Sequence, residues 1–139
     1  MKATDLMIGD WVYDTILKGN TKVEILSLSG IRGDYHDNVW NEKTFEPIPL
    51  TKEILKKNGW KEEFDKVPYM TWYDLSKEKG GTNTWLMWSI NERIVDVQKQ
   101  SADILNHNLC VNRVYVVCEY VHQLQHAMRM CEIDKEILL

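Results

Sequence analysis

Apolar residues recur at spacings of three and four near the end of the chain, at Val121, Leu124, Met128 and Cys131. That period puts them on one side of a helix over 119–131, with His122, Gln125 and Arg129 on another side. The apolar run Val114-Tyr115-Val116-Val117 leads straight into this helix. It reads as a central strand, 109–117, buried on both faces toward its end. A strand feeding a closing helix is the predicted centre of the fold.

The first 46 residues have a different texture. Gly9-Asp10 is a turn signal, after which Trp11 and Tyr13 alternate with Val12. A second turn at Lys18-Gly19-Asn20 precedes a strand at 22–28, and 29–38 is loop-like. Val39-Trp40 and Thr44-Phe45 suggest one or two further short strands. Several short strands in so few residues predict a small SH3-like unit or partial β-barrel over 1–46. Two prolines two apart, Pro47 and Pro49, mark the boundary because they force extended backbone and cannot sit in a central ladder.

A second unit, 47–139, follows, and the two could also form one compact domain. Its first helix is well punctuated. Thr51 is the N-cap, Glu53 lies in the first turn, and Leu50 and Leu55 stand at the positions of a hydrophobic staple. Gly59 at C′ and Trp60 at C″ predict a Schellman ending. Strands are predicted at 67–75, 84–90, 93–98 and 109–117, with 101–108 a loop or a single helical turn. The fold class is α+β: the small β unit, then an antiparallel sheet with two packed helices.

Composition narrows the function more than the fold. A chain of 139 residues, 44% hydrophobic and 27% charged, is ordinary for a globular protein. The net charge of −4 argues against an unspecific nucleic-acid binder, which needs a basic footprint. Residues 1–46 carry Asp5, Asp10, Asp14, Glu24, Asp34, Asp37, Glu42 and Glu46 against few cations such as Lys18 and Lys22. Trp11, Tyr13 and Trp40 would be the stacking platforms if a small barrel did bind nucleic acid. Cys110, Cys118 and Cys131 form no C-x-x-C pair, and the N-terminus has no apolar signal core. Both point to reduced thiols in a cytoplasmic setting. No apolar run approaches the ~20 residues of a spanning helix, so no membrane partner is expected.

His122 and His126, four apart on the closing helix, are the candidate metal ligands. A zincin carries H-E-x-x-H, and here Gln123 stands where the general base would be. His107 and Glu119 are the residues that could complete such a set. The bland alternative is a polar face that hydrogen-bonds its neighbours, and the expectation is no metal and no cofactor. Cys118 precedes the helix, where the helix dipole would lower its pKa, and His122 is one turn on, the makings of a thiolate pair. Against that stands the ordinary buried cysteine. Asp34, His36 and Asp37 read as a solvated turn rather than a cation site. Arg32-Gly33-Asp34 reads as a chance match to an adhesion tripeptide. No catalytic residue is assigned, and His122, Gln125 and Arg129 form the possible polar functional face.

Three stretches carry a resemblance: Leu6-Met7-Ile8-Gly9-Asp10-Trp11-Val12, Phe45-Glu46-Pro47-Ile48-Pro49-Leu50-Thr51 with the helix to Trp60, and Tyr120-Val121-His122-Gln123-Leu124-Gln125. In this order they resemble a family of small uncharacterised proteins of Bacteroidetes genomes, their phages and mobile elements. The chain departs from it after Gln125, where His126-Ala127-Met128 replaces an Asn-Leu-Tyr-like run. The resemblance implies a shared fold and a cytoplasmic setting, and brings no activity with it. The expected function is a non-catalytic protein-interaction or accessory module of a phage or mobile element. The alternatives are a nucleic-acid-associated small-barrel protein and a metal- or thiol-dependent enzyme. Oligomeric state is not legible.

Overall fold

Alternation of side chains decides the first sheet. The computed structural model describes residues 5–27, 30–33, 44–64, 71–74, 84–103 and 108–139. In β1 (Trp11–Asp14), Val12 and Asp14 are buried while Trp11 and Tyr13 are half-buried, so the aliphatic residue points inward rather than the aromatics. β1 pairs antiparallel with β2 (Gly19–Ser27), and β2 with β3 (Gly30–Gly33). β4 (Phe45–Pro47) closes the order β3-β2-β1-β4. β3 falls in the predicted loop. Its two glycines weaken strand propensity, and pairing with β2 overrides it, with a register shift between Val23 and Ile25. The expected strand at Val39-Trp40 lies outside the described residues.

α1 (Lys52–Lys57) follows its sequence signals closely. The Thr51 hydroxyl accepts the Ile54 N–H at 3.3 Å. Gly59 takes φ 83°. The Trp60 N–H donates to the Leu55 carbonyl at 3.2 Å and the Gly59 N–H to that of Lys56 at 3.0 Å, which together make a Schellman ending.

The second sheet is a five-stranded antiparallel meander, β5 (Lys61–Phe64), β6 (Thr71–Asp74), β7 (Thr84–Ser89), β8 (Ile94–Asp103) and β9 (Asn108–Val117), in that order. The fold is therefore α+β: two antiparallel sheets and, among the described residues, two helices, the second being α2 (Val121–Met130). Three expectations change. β5, three charged residues and a phenylalanine, has no apolar period and forms as an edge partner of β6. The predicted loop at 101–108 is partly strand, since Ser101, Ala102 and Asp103 pair with Cys110, Leu109 and Asn108. Finally, among the described strands β9 is an edge and not a central strand, and Val114, Tyr115 and Val117 are 56%, 57% and 60% exposed. A continuous apolar run cannot by itself distinguish a covered strand from an uncovered one.

Contacts group the chain into two compact units. One is Met1–Pro49 with Tyr120–His126, and the other Leu50–Glu119 with Ala127–Leu139. The expected division after residue 46 differs from this grouping in two respects. It cuts through β4, and it assigns all of the closing helix to the second unit. In the first unit Leu6, Val12, Val23, Phe45, Val121 and Leu124 are buried. In the second, Leu55, Leu86, Trp88, Val95, Met128 and Ile137 are buried, and the Trp88 indole N–H donates to the Cys118 carbonyl at 2.9 Å.

The tail after α2 has no regular structure, so its backbone polar groups need partners from elsewhere. Asn58, at the end of α1, supplies them. Its amide donates to the carbonyls of Ile54 and Leu138, and its Oδ1 accepts the Leu138 N–H, all at 2.8 Å. Asn58→Ala removes all three bonds and strands two backbone groups of the tail, which should cost about 2–3 kcal/mol. Urea unfolding followed by tryptophan fluorescence measures this, and a loss below about 0.5 kcal/mol would show the tail is not held this way.

Candidate functional site

The first unit begins with a tight turn. The Asp10 N–H donates to the Met7 carbonyl at 3.1 Å, and Gly9 has φ 87°, as the third residue of a type II turn requires. The buried Asp10 carboxylate reinforces the turn by accepting the Met7 N–H at 2.7 Å. The Gly9 N–H and the Asp10 carbonyl are taken by Val23 of β2, at 2.7 and 2.9 Å. The Gly9 carbonyl and the Trp11 N–H have different partners.

Both of those groups go to Gln125 of α2. Its Oε1 accepts the Trp11 N–H at 2.9 Å, and its Nε2 donates to the Gly9 carbonyl at 3.1 Å. A primary amide presents one acceptor and a donor pair in one plane, so it substitutes for a neighbouring strand here. At the next residue of the helix, His126 Nε2 lies 2.6 Å from Asp10 Oδ2. At the start of α2 the Val121 N–H donates to the Ile48 carbonyl at 2.9 Å, and Pro49 bridges Tyr120. The Gln123 side chain accepts the Tyr120 N–H at 3.1 Å and satisfies a donor near the helix start. The stretches at 6–12, 45–51 and 120–125 are thus joined through this one helix end.

His122 lies inside the cluster, 4% exposed. Its ring stacks on Tyr120 at 5.8 Å and 7°, and meets His126 edge-on at 5.8 Å. Its Nδ1 is buried and makes no hydrogen bond. Burial lowers its pKa below the usual 6.5. His126 lowers it further, while the Asp10 and Asp5 carboxylates act the other way. An imidazolium would also need an acceptor for a proton on Nδ1, which the site does not offer. His122 is therefore held neutral.

The possible polar face of His122, Gln125 and Arg129 is thus not one surface. His122 is buried, Gln125 is half-buried and committed to the turn, and Arg129 is exposed. Helical period places the three on one side. It does not show that the chain's own turn covers the first two. For the metal reading, His122 and His126 are neighbours, but His126 is bound to Asp10. Among the described residues no group of three or more His, Cys, Asp or Glu side chains is gathered as a metal site would need. His107, Asp34, His36 and Asp37 lie outside the described residues. Cys118 is the ordinary buried cysteine and not half of a thiolate pair: it is fully buried, and burial pushes its thiol up to about 12, so it stays protonated at neutral pH. Asp10 is the residue that sequence reasoning left out. Its signal was an aspartate directly after a turn glycine, read there as turn chemistry alone.

No family model, curated protein or solved structure matches the chain.

Two measurements follow from this geometry. Gln125→Ala leaves the Trp11 N–H and the Gly9 carbonyl without their partner and should cost about 1–3 kcal/mol, close to the 2–5 kcal/mol of truncating the buried Leu124. Arg129→Ala, at an exposed position, should change stability by about 0.5 kcal/mol or less. Urea midpoints of the three variants test this, and a neutral Gln125→Ala would dissolve the clamp.

The second measurement concerns His122. A lowered pKa means that the native state binds fewer protons than the unfolded chain between the lowered value and 6.5. Its contribution is whole above pH 6.5 and is lost as pH falls below it. The wild-type urea midpoint should therefore drop more steeply from pH 7.5 to 5.5 than that of His122→Phe. Parallel curves would show that His122 does not titrate in this way.

Proposed function

We propose that this chain is a non-catalytic protein-interaction module acting in the cytoplasm, an accessory protein of a phage or mobile element, as its resemblance in three motif stretches suggests. The observation that carries the reading is a division of labour between side chains. The groups that could do chemistry are spent on holding the chain together: His126 on Asp10, Gln125 on Gly9 and Trp11, His122 and Cys118 in the interior. The large apolar side chains of Val114, Tyr115 and Val117 are instead turned outward along one strand. Apolar surface presented in that way is the usual mark of a protein contact. No described helix is long and apolar enough to cross a membrane.

The test is affinity capture of the tagged full chain from its native host, with and without nuclease. The expected result is a defined protein that survives nuclease and is lost from Val114→Lys and Val117→Lys, both of which stay folded by circular dichroism. Retention of nucleic acid alone, released by nuclease, would favour the small-barrel nucleic-acid reading. A partner indifferent to both substitutions would place the contact elsewhere.

A further inference from the structure

The edges of the two sheets are treated differently. β4 is three residues long and carries Pro47, β3 is four with two glycines, and β5 is four with Lys61, Glu62 and Glu63. Shortness, proline and charge are the devices that stop sheet edges from pairing with other chains. β9 has none of them. It is ten residues long, holds no proline, lysine or acid, and its one charged residue is Arg113. Its ladder with β8 runs over all ten residues without a register shift, so the strand is regular.

The phase of the ladder is fixed by one bond. The Cys118 N–H donates to the Arg93 carbonyl at 2.8 Å. In an antiparallel pair the backbone groups of successive residues face alternate sides. Val116 and Val114 therefore direct their N–H and C=O toward β8, and Val117, Tyr115, Arg113 and Val111 direct theirs away from it.

We propose that β9 is a dimerisation edge, and that its occupant is β9 of a second copy of this chain, added antiparallel about a two-fold axis to make one continuous sheet. This rests on the interaction reading above and names the partner. Two points favour a second copy. An antiparallel edge is self-complementary, since a two-fold axis brings the same donors and acceptors to both sides. With a single charge in the strand, two copies meet without a row of like charges. That charge excludes one register, and we take the axis through Val114, the exposed residue next to it. Centring on Arg113 would set two arginines opposite each other, which is destabilising. Centring on Val114 sets Arg113 opposite the partner's Tyr115 and Val111 opposite the partner's Val117.

Sedimentation velocity of the full chain, from about 1 to roughly 100 μM to cover a micromolar dimer, should show a concentration-dependent doubling of mass. Val117→Pro removes only an outward N–H, which an edge strand tolerates, and should give a monomer with unchanged circular dichroism. Val117→Thr, which keeps the N–H, should remain dimeric. Val114→Lys places two ammonium groups face to face at the axis and should also give a monomer. It stands as the second variant if Val117→Pro does not fold. A wild-type chain that stays monomeric throughout would overturn the proposal, as would dimers that survive both Val117→Pro and Val114→Lys. A monomer that still holds a host protein through Val114 and Val117 would overturn the second copy as occupant and leave the interaction reading standing.

Discussion

The first unit depends on one side chain doing the work of a strand. Residues 7–11 form a tight turn whose Gly9 carbonyl and Trp11 N–H are not taken up by β2, and Gln125 closes both. The buried Asp10 then binds His126 on the same helix, so two residues one apart, Gln125 and His126, grip three consecutive residues of the turn. Val121 and Leu124 on the same helix are buried, as are Val12 and Val23 of the same unit. Hydrophobic burial is non-directional. The amide and the carboxylate are what make a particular register of helix on turn better than its neighbours.

The second unit uses the same device. There the irregular segment is the tail after α2, and the amide is that of Asn58. In both units a chain segment with no ladder of its own still has to satisfy its backbone. A primary amide carries the matching donor and acceptor on one rigid group. Lys135 adds to the second case, its ammonium bonding the Asn58 carbonyl at 2.6 Å and lying 5.3 Å over the Trp60 ring. The polar residues most readily read as chemistry are therefore part of the scaffold.

Much of the fold was legible because it rests on local signals. The N-cap at Thr51, the left-handed Gly59 and the Leu55–Trp60 closure are decided within ten residues, and period alone identified α2. What was not legible depended on distant pairing. β3 and β5 have poor intrinsic strand character and exist because β2 and β6 offer them partners. β9 has excellent strand character, and nothing local says that it stops at an edge. The candidate site failed in the same way. Helical period grouped His122, Gln125 and Arg129 correctly by angle, but exposure depends on a turn more than a hundred residues earlier in the chain.

That failure bears on function. A buried neutral imidazole with an unpartnered Nδ1 is a costly residue for a core, since a phenylalanine would stack on Tyr120 without an orphaned nitrogen. Its neighbours explain part of the choice. Near Asp10 and Asp5 an imidazole edge is a better electrostatic companion than a hydrocarbon ring, and it meets His126 edge-on. The cluster is then one polar core in which Asp10 is shared between the turn and the helix. A core of this kind trades some stability for a single arrangement of helix and turn. On the interaction reading proposed above, recognition of other molecules is left to surfaces that the scaffold does not use.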